Sequence, residues 1–325
     1  MNISERYKRQ IQISEVGSEG QEKLLHSSVL IVGMGATGTH AAEQLTRAGV
    51  GHLILVDDDV IEESNLQRQT LFTESDLGQS KAEIAHRHLT DISNQTQIEN
   101  FNVKFEHLIF EKLEKPDLIL DCTDNFLARE LINDYCLQEE IPFVYSAVAG
   151  VSGQVMAFEP HISPCLACAF PELTELEQNC ESIGVITPTI SFISSLQISL
   201  ALQILVDKSQ INFNQMKVAD VWRGTIDKFT ITKRPACPVC SASKVTPQLS
   251  KSCGDVYKAL INDFDLQQFN NFCQNKNWQI KTNQLATQIN LPDGNITIFN
   301  TGRILFYNFT QENAERAFKE ILSYD

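Results

Sequence analysis

Basic residues are scarce in this chain: 26 Lys and Arg stand against 41 Asp and Glu, a net charge of −15. Nucleic acids and anionic membranes select for Lys/Arg patches, so neither is expected as a partner. No run of 18 apolar residues is present, and a membrane span is not expected. The opening stretch MNISERYKRQIQIS lacks the apolar core and small-residue cleavage site of a secretory signal, which points to a cytoplasmic location. There the nine cysteines are expected as thiols or metal ligands, not disulfides. What the chain does contain is a globular composition, 42% hydrophobic and 21% charged over 325 residues, long enough for two domains.

The first stretch with chemical content is VLIVGMGATG, Val29 to Gly38. Ser28 to Val32 reads as a buried strand, and Gly33, Gly35 and Gly38 form a G-x-G-x-x-G turn. Ala36 to Ala48 then reads as a helix, with Ala41, Leu45 and Ala48 on one face. A second strand, His52 to Val56, runs into Asp57-Asp58-Asp59. An acid about 22 residues beyond the second glycine stands where a ribose-binding carboxylate belongs.

Further on, a helix is expected over Lys81 to Leu89 and a strand over Asp117 to Leu120, followed by Asp121-Cys122-Thr123-Asp124-Asn125. A helix over Leu127 to Glu139 and a strand over Pro142 to Ser146 complete the alternation. That alternation predicts an α/β fold with a Rossmann-like, mostly parallel sheet and helices on both faces. After Gly150, GQVMAF and DKFTIT read as strands and Thr189 to Val206 as a long apolar helix. The polar stretch SASKVTPQLSKS reads as a linker. Beyond it come a helix over Asp265 to Asn275, a hairpin on Pro292-Asp293-Gly294 and a final helix over Gln311 to Leu322. The expected organisation is one domain over residues 1–245 and a small α+β appendage over residues 250–325.

Cys165-Leu-Ala-Cys168 and Cys237-Pro-Val-Cys240 are two C-x-x-C pairs in Pro-containing loops. Each pair can grip one face of a tetrahedral ion, and together they predict a structural Zn(Cys)4 that stabilises the C-terminal half of the α/β domain. Cys122, Cys136, Cys253 and Cys273 read as ordinary small core or surface residues. Cys180 lies in EQNCESIGVITP, which reads as a loop; by position alone such a cysteine is more often inert than nucleophilic.

The glycine turn by itself suits an NAD-dependent oxidoreductase as well as an ATP enzyme. The loop Ser64-Asn65-Leu66-Gln67-Arg68-Gln69 followed by Lys81 favours ATP. Departing pyrophosphate calls for cations, here Arg68, Lys81 and Mg²⁺, and Asp124, at the carboxyl end of a strand, is a candidate carboxylate for the metal. Taken singly, Arg68 reads as a surface salt bridge and Asp124 as a helix cap. Their conjunction with Asp57 and the glycine turn points to ATP.

RYKRQ (Arg6 to Gln10), GMGATG, SNLQRQ, DCTDN, the two C-x-x-C pairs and NCESIGVITP occur in the order typical of the MoeB/ThiF adenylyltransferases, bacterial relatives of ubiquitin-activating enzymes. The chain resembles that family over roughly residues 4–245. The resemblance implies adenylation of the C-terminal Gly-Gly carboxylate of a ubiquitin-like sulfur carrier protein, with pyrophosphate released and a thiocarboxylate formed later. A MoaD-like carrier of molybdenum cofactor biosynthesis is expected first, and a ThiS-like carrier of thiamine biosynthesis is the alternative. By motif matching, Asp57 holds the ribose and the turn of Gly33, Gly35, Ala36 and Gly38 approaches the phosphates. Ser64, Asn65, Gln67, Arg68, Lys81 and Asn125 complete the ATP site, and Asp124 binds Mg²⁺. Arg9 resembles the arginine that a neighbouring subunit lends, implying a homodimer. Cys180 matches the family's loop cysteine, a sulfur or thioester cysteine in some members.

Many members have glycine where this chain has Ala36; the methyl fits if φ is negative there. The tail shows no rhodanese-type cysteine loop around Cys273, so a separate sulfur donor is implied. Two other classes compete: the oxidoreductase, and a silent module that docks ubiquitin-like tails without activating them. The presence of Arg68, Lys81 and Asp124 argues against the silent module.

Overall fold

The computed structural model describes residues 5–108, 114–171, 183–241, 247–252 and 256–324. The apolar run Ser28–Val32 is strand β1, buried along nearly its whole length. Its crossover helix α2 (Ala36–Ala48) follows a polar helix α1 (Gly17–His26) that had no counterpart in the sequence reading. Gly49, left-handed at φ 86°, ends α2, and a side chain there would collide with the ring of buried Tyr7. Strand β2 (His52–Val56), helix α3 (Lys81–Ile92) and strand β3 (Gln97–Phe101) come next.

Strand β4 (Leu118–Asp121), helix α4 (Phe126–Glu139) and strand β5 (Phe143–Ala149) build the other half. The order among the described residues is β3-β2-β1-β4-β5-β6-β7-β8, with β6 (Ser152–Phe158), β7 (Gln215–Asp220) and β8 (Thr225–Thr230) closing one side. Strands β3 to β5 pair in parallel and the last three pair antiparallel. The expected parallel sheet therefore carries an antiparallel extension.

The chain leaves β1 toward β2 but leaves β4 toward β5, the opposite direction. Right-handed crossovers then put α2 and α4 on opposite faces of the sheet. A crevice opens where the order reverses, beyond the carboxyl ends of β1 and β4. Register levels those ends, because Val32 pairs with Val56 on one side and Asp121 on the other. Gly33, Asp57 and Cys122 thus leave the sheet side by side.

Helix α5 (Thr187–Asp207) is apolar on nearly every face and packs on α2 and on β4 to β6. Its Ile198, Ala201 and Ile204 share one core with Val29 and Ile31 of β1 and Leu45 of α2. Among the described residues, the segment Thr187–Gln210 is the one helix long and apolar enough to cross a membrane, and half of that window is buried inside the protein.

Two compact units form: one carries β1 to β8, and the other carries β9 to β14. The second holds an antiparallel sheet ordered β11-β12-β13-β14-β10-β9. Its strands are β9 (Ser250–Lys251), β10 (Val256–Leu260), β11 (Gln279–Thr282), β12 (Ala286–Leu291), β13 (Gly294–Phe299) and β14 (Arg303–Tyr307). Helices α6 (Leu266–Asn275) and α7 (Gln311–Ile321) are capped by Asp265 and Thr310. Phe269, Ile289, Ile298, Phe306 and Phe318 form their common core.

Candidate active site

Gly33 turns the chain out of β1 with φ 94°, and a Cβ there would stand 2.7 Å from the Cys122 carbonyl oxygen. Gly38 is excluded from any side chain more severely, since a Cβ would fall 1.8 Å from the Gly33 oxygen. Gly35 is different. It starts α2 with no side-chain cap, and its open face meets only the Gln69 amide nitrogen at 3.9 Å among the described residues. A helix start without a side-chain cap, beside an open position, is the kind of place where an anion can bind. Ala36 is not among the residues of positive φ, so its methyl is accommodated.

Asp57 shapes that turn from the end of β2. One carboxylate oxygen accepts from Met34 N at 2.6 Å and the other from Asp59 N at 2.8 Å. Burial pushes this carboxyl above its ordinary range, against the opposing pull of Lys81 and the two amides. Lys81 opens α3, its side chain almost enclosed, and its Nζ donates to Asp59 Oδ2 at 2.8 Å.

The loop between them is braced internally. Asn65 is buried and accepts from Glu62 N through Oδ1 at 3.1 Å, within a capping box. The Arg68 guanidinium donates to Ser64 O at 2.8 Å, Ser64 Oγ lies 3.4 Å from Glu62, and Gln67 Nε2 donates to Thr187 Oγ1 at 3.0 Å. Across the crevice, Asn125 caps α4 by accepting from Ala128 N at 3.0 Å, which leaves the neighbouring Asp124 exposed. The cap that sequence placed among Asp124's options belongs to Asn125.

A model of the ThiF family matches residues 7–239. The chain belongs to the ThiF family. It is 34% identical over 244 residues to the sulfur carrier protein ThiS adenylyltransferase of Escherichia coli strain K12, covering 74% of this chain and 97% of that one. Identity to the Bacillus subtilis strain 168 protein of the same name is 31% over 320 residues, 93% of this chain and 94% of that one. The fold is also that of a crystal structure of E. coli MccB with ATP, at a TM-score of 0.65 and 22% identity over 74% of this chain and 75% of that one. Membership makes the chain an enzyme of nucleotidyltransferase type. The oxidoreductase reading of the glycine turn has no support among these relatives.

Sequence reasoning missed what supports the Asp124 loop of this ThiF-family chain. Asp121 and Arg129 are both buried with Oδ2 and Nε 3.4 Å apart, and Arg129 donates to the carbonyls of Thr123 at 2.5 Å and Ser146 at 3.3 Å. The guanidinium lies 5.0 Å from the Tyr145 ring centroid. Gln197 of α5 donates to Asp121 O and Val144 O at 2.9 and 3.0 Å. An arginine flanked by Leu127, Leu131 and Ile132 was the available signal. Cys122, between these groups, is buried and its thiol is pushed up to about 12, so it is inert.

The four C-x-x-C cysteines come together, their Sγ atoms all within 4.8 Å of one another. Cys165 and Cys168 Sγ are 3.9 Å apart, close to the ~3.8 Å expected for two thiolates bound to one tetrahedral zinc. Arg234 N donates to Cys168 Sγ at 3.4 Å, the kind of outer contact that supports a ligating sulfur. The donor set fits zinc. Cys180 and Cys253 lie outside the described residues. Arg9 is exposed, following buried Tyr7 near the start of the chain.

Proposed function

We propose that this enzyme adenylates the C-terminal Gly-Gly carboxylate of a ubiquitin-like sulfur carrier with ATP. A carboxylate oxygen attacks the α-phosphorus, the bond to the β-phosphate bridging oxygen breaks, and pyrophosphate leaves. Sulfur from a separate donor later displaces AMP to give the thiocarboxylate. The carboxylate is already ionised at neutral pH, so the site needs in-line placement and neutralised charge more than a general base.

The uncapped start of α2 at Gly35 and Ala36 faces the phosphates, and Asp57, with a lone pair left on each oxygen, accepts from the ribose hydroxyls. Lys81 and Arg68 neutralise the phosphates beside Asn65. Mg²⁺, held by Asp124, supplies charge neutralisation on the leaving pyrophosphate. Arg9 of one copy completes the site of another in a homodimer. Cys165, Cys168, Cys237 and Cys240 hold a structural zinc, and the enzyme works in the cytoplasm.

The observation that carries the choice of carrier is the match to a ThiS adenylyltransferase along 93% of the chain, tail included. A ThiS-like carrier is therefore placed ahead of the MoaD-like carrier expected from sequence, which presents the same chemical end. Incubation of the enzyme with MgATP and each purified carrier, read by mass, tests both. A carrier heavier by one adenylate is expected with the ThiS-like protein; adenylate on the MoaD-like protein alone reverses the choice. No adenylate on either overturns the reading.

A further inference from the structure

Thr187 and Gln67 stand 120 residues apart in sequence and hold each other twice. The Thr187 hydroxyl donates to the Gln67 carbonyl at 3.1 Å and accepts from Gln67 Nε2 at 3.0 Å. At the first position of α5, that hydroxyl has no carbonyl one turn back within the helix to bond, so it is available to another segment. Among the described residues, no main-chain amide reaches the Gln67 carbonyl, and the Thr187 hydroxyl is what holds it.

The two partners differ in firmness. The start of α5 is fastened on several sides. Ile186 N and Thr189 Oγ1 donate to Gly150 O at 3.2 and 3.3 Å, Gly150 N donates to Gly184 O at 2.8 Å, and Ser191 Oγ lies 3.1 Å from His40 Nε2 of α2. Further along the helix, Ile198, Ala201 and Ile204 sink into the common core. Gln67 belongs instead to the loop that carries Arg68. There Arg68 N donates to Asn65 O at 3.0 Å, while its guanidinium rests on Ser64 O at 2.8 Å near solvent. Gly150 follows β5 and the loop follows β2, so the start of α5 joins one side of the crevice to the other.

We infer that Thr187 is a positioning residue for adenylation: by holding Gln67 through main chain and side chain, it fixes the backbone from which Arg68 swings off Ser64 O onto the nucleotide. Thr187 itself touches no reacting group. The inference rests on the adenylation reading for what Arg68 meets. A long guanidinium that starts from a fixed backbone gives up less freedom on reaching its target, and small misplacements of such a group are costly. The pair lies near solvent, where water competes for both bonds, so its effect falls on loop placement more than on stability of the fold.

The test is calorimetric titration of MgATP into wild type, Thr187→Val, Thr187→Ser, Arg68→Met and the Thr187→Val/Arg68→Met double variant. The melting temperature of each is measured without nucleotide. Thr187→Val keeps the shape and removes both bonds; an affinity about fivefold weaker is expected, at a melting temperature within about two degrees of wild type. Thr187→Ser restores the hydroxyl and should bind within about twofold of wild type. With Arg68 gone there is no guanidinium to place, so the double variant should bind within about twofold of Arg68→Met. Equal affinity of wild type and Thr187→Val overturns the inference. So does the same loss in both backgrounds, or a loss that serine does not restore, since either assigns Thr187 a purely structural role. Wild type failing to bind MgATP overturns the adenylation reading and this inference together; wild type that binds while Thr187→Val binds equally well overturns this inference alone.

Discussion

Lys81 and Asp59 form an ion pair of unequal partners: Nζ and Oδ2 are 2.8 Å apart, but the lysine side chain is 8% exposed and the aspartate 66%. The Asp59 carbonyl also accepts from Lys81 N, at 3.0 Å, so the pair is fastened at both ends. Removing one partner strands the other in a different medium. Lys81→Met leaves a hydrated carboxylate and should cost less than about 1 kcal/mol of stability. Asp59→Ala leaves a largely enclosed ammonium and should cost more, about 1–3 kcal/mol. Urea unfolding without nucleotide measures both, and equal costs would show that the asymmetry has no energetic meaning. In carrier-dependent exchange of labelled pyrophosphate into ATP, Lys81→Met should fall by about 100-fold or more.

Asp124 and Asn125 are adjacent but do different work. Asn125→Ala removes the cap of α4 and should lower stability by about 1 kcal/mol. Asp124→Ala removes an exposed carboxylate, so the melting temperature should hold while carrier-dependent pyrophosphate exchange disappears. Wild-type exchange in that variant would sink the magnesium assignment.

Three glycines of one turn should respond to alanine in three ways. Gly38→Ala drives a methyl to 1.8 Å from a backbone oxygen, and Gly33→Ala adds a 2.7 Å contact to a φ of 94°. Both should unfold the protein or cost several kcal/mol, about 2 or more each. Gly35→Ala meets only Gln69 at 3.9 Å, so thermal melting should be near wild type while MgATP binding weakens. A Gly35→Ala protein that binds MgATP normally would move the phosphates elsewhere.

Burial raises the Asp57 carboxyl above its ordinary 3.8. The folded chain then holds that proton more tightly than the unfolded chain, so the Asp57 contribution to stability falls as pH rises from below 3.8 through the raised value. Comparison with Asp57→Asn isolates this group from Asp121, which shifts the same way. The stability advantage of wild type over the variant should be larger at pH 4 than at pH 7, by urea unfolding. An advantage that grows with pH would mean that the amides and Lys81 outweigh burial.

The cysteine cluster predicts about one zinc per chain by plasma mass spectrometry. Cys237→Ala should lose the metal and several kcal/mol of stability, since structural zinc affinity is also folding free energy. A metal-free wild type as stable as the metal-loaded protein would remove the structural role.

Local rules made much of the fold legible. Ser28–Val32, Ala36–Ala48 and His52–Val56 appear with the boundaries read from the sequence, because a buried parallel strand, a glycine turn and an amphipathic helix each write themselves into contiguous residues. Helix α3 runs one turn beyond its expected end at Leu89. Strand β3, QIENF, was missed because it sits at the sheet edge, only partly buried, with no alternation to mark it. Strands β10, β11 and β14 were missed beside the hairpin that was seen.

The sequence by itself determined a glycine turn between strand and helix, the cations and carboxylates expected at an ATP site, and two thiol pairs at a spacing that can hold zinc, since each depends on residue type and short spacing. Tertiary structure alone decided how those groups are employed. Asp57 ties Met34 to Asp59, Asn125 takes the cap that frees Asp124, Lys81 lies enclosed against an exposed Asp59, and Gln69 is left unmatched over Gly35. Those outcomes turn on hydrogen-bond geometry and burial between segments far apart in the chain, and no local pattern encodes which competing donor or acceptor is nearest.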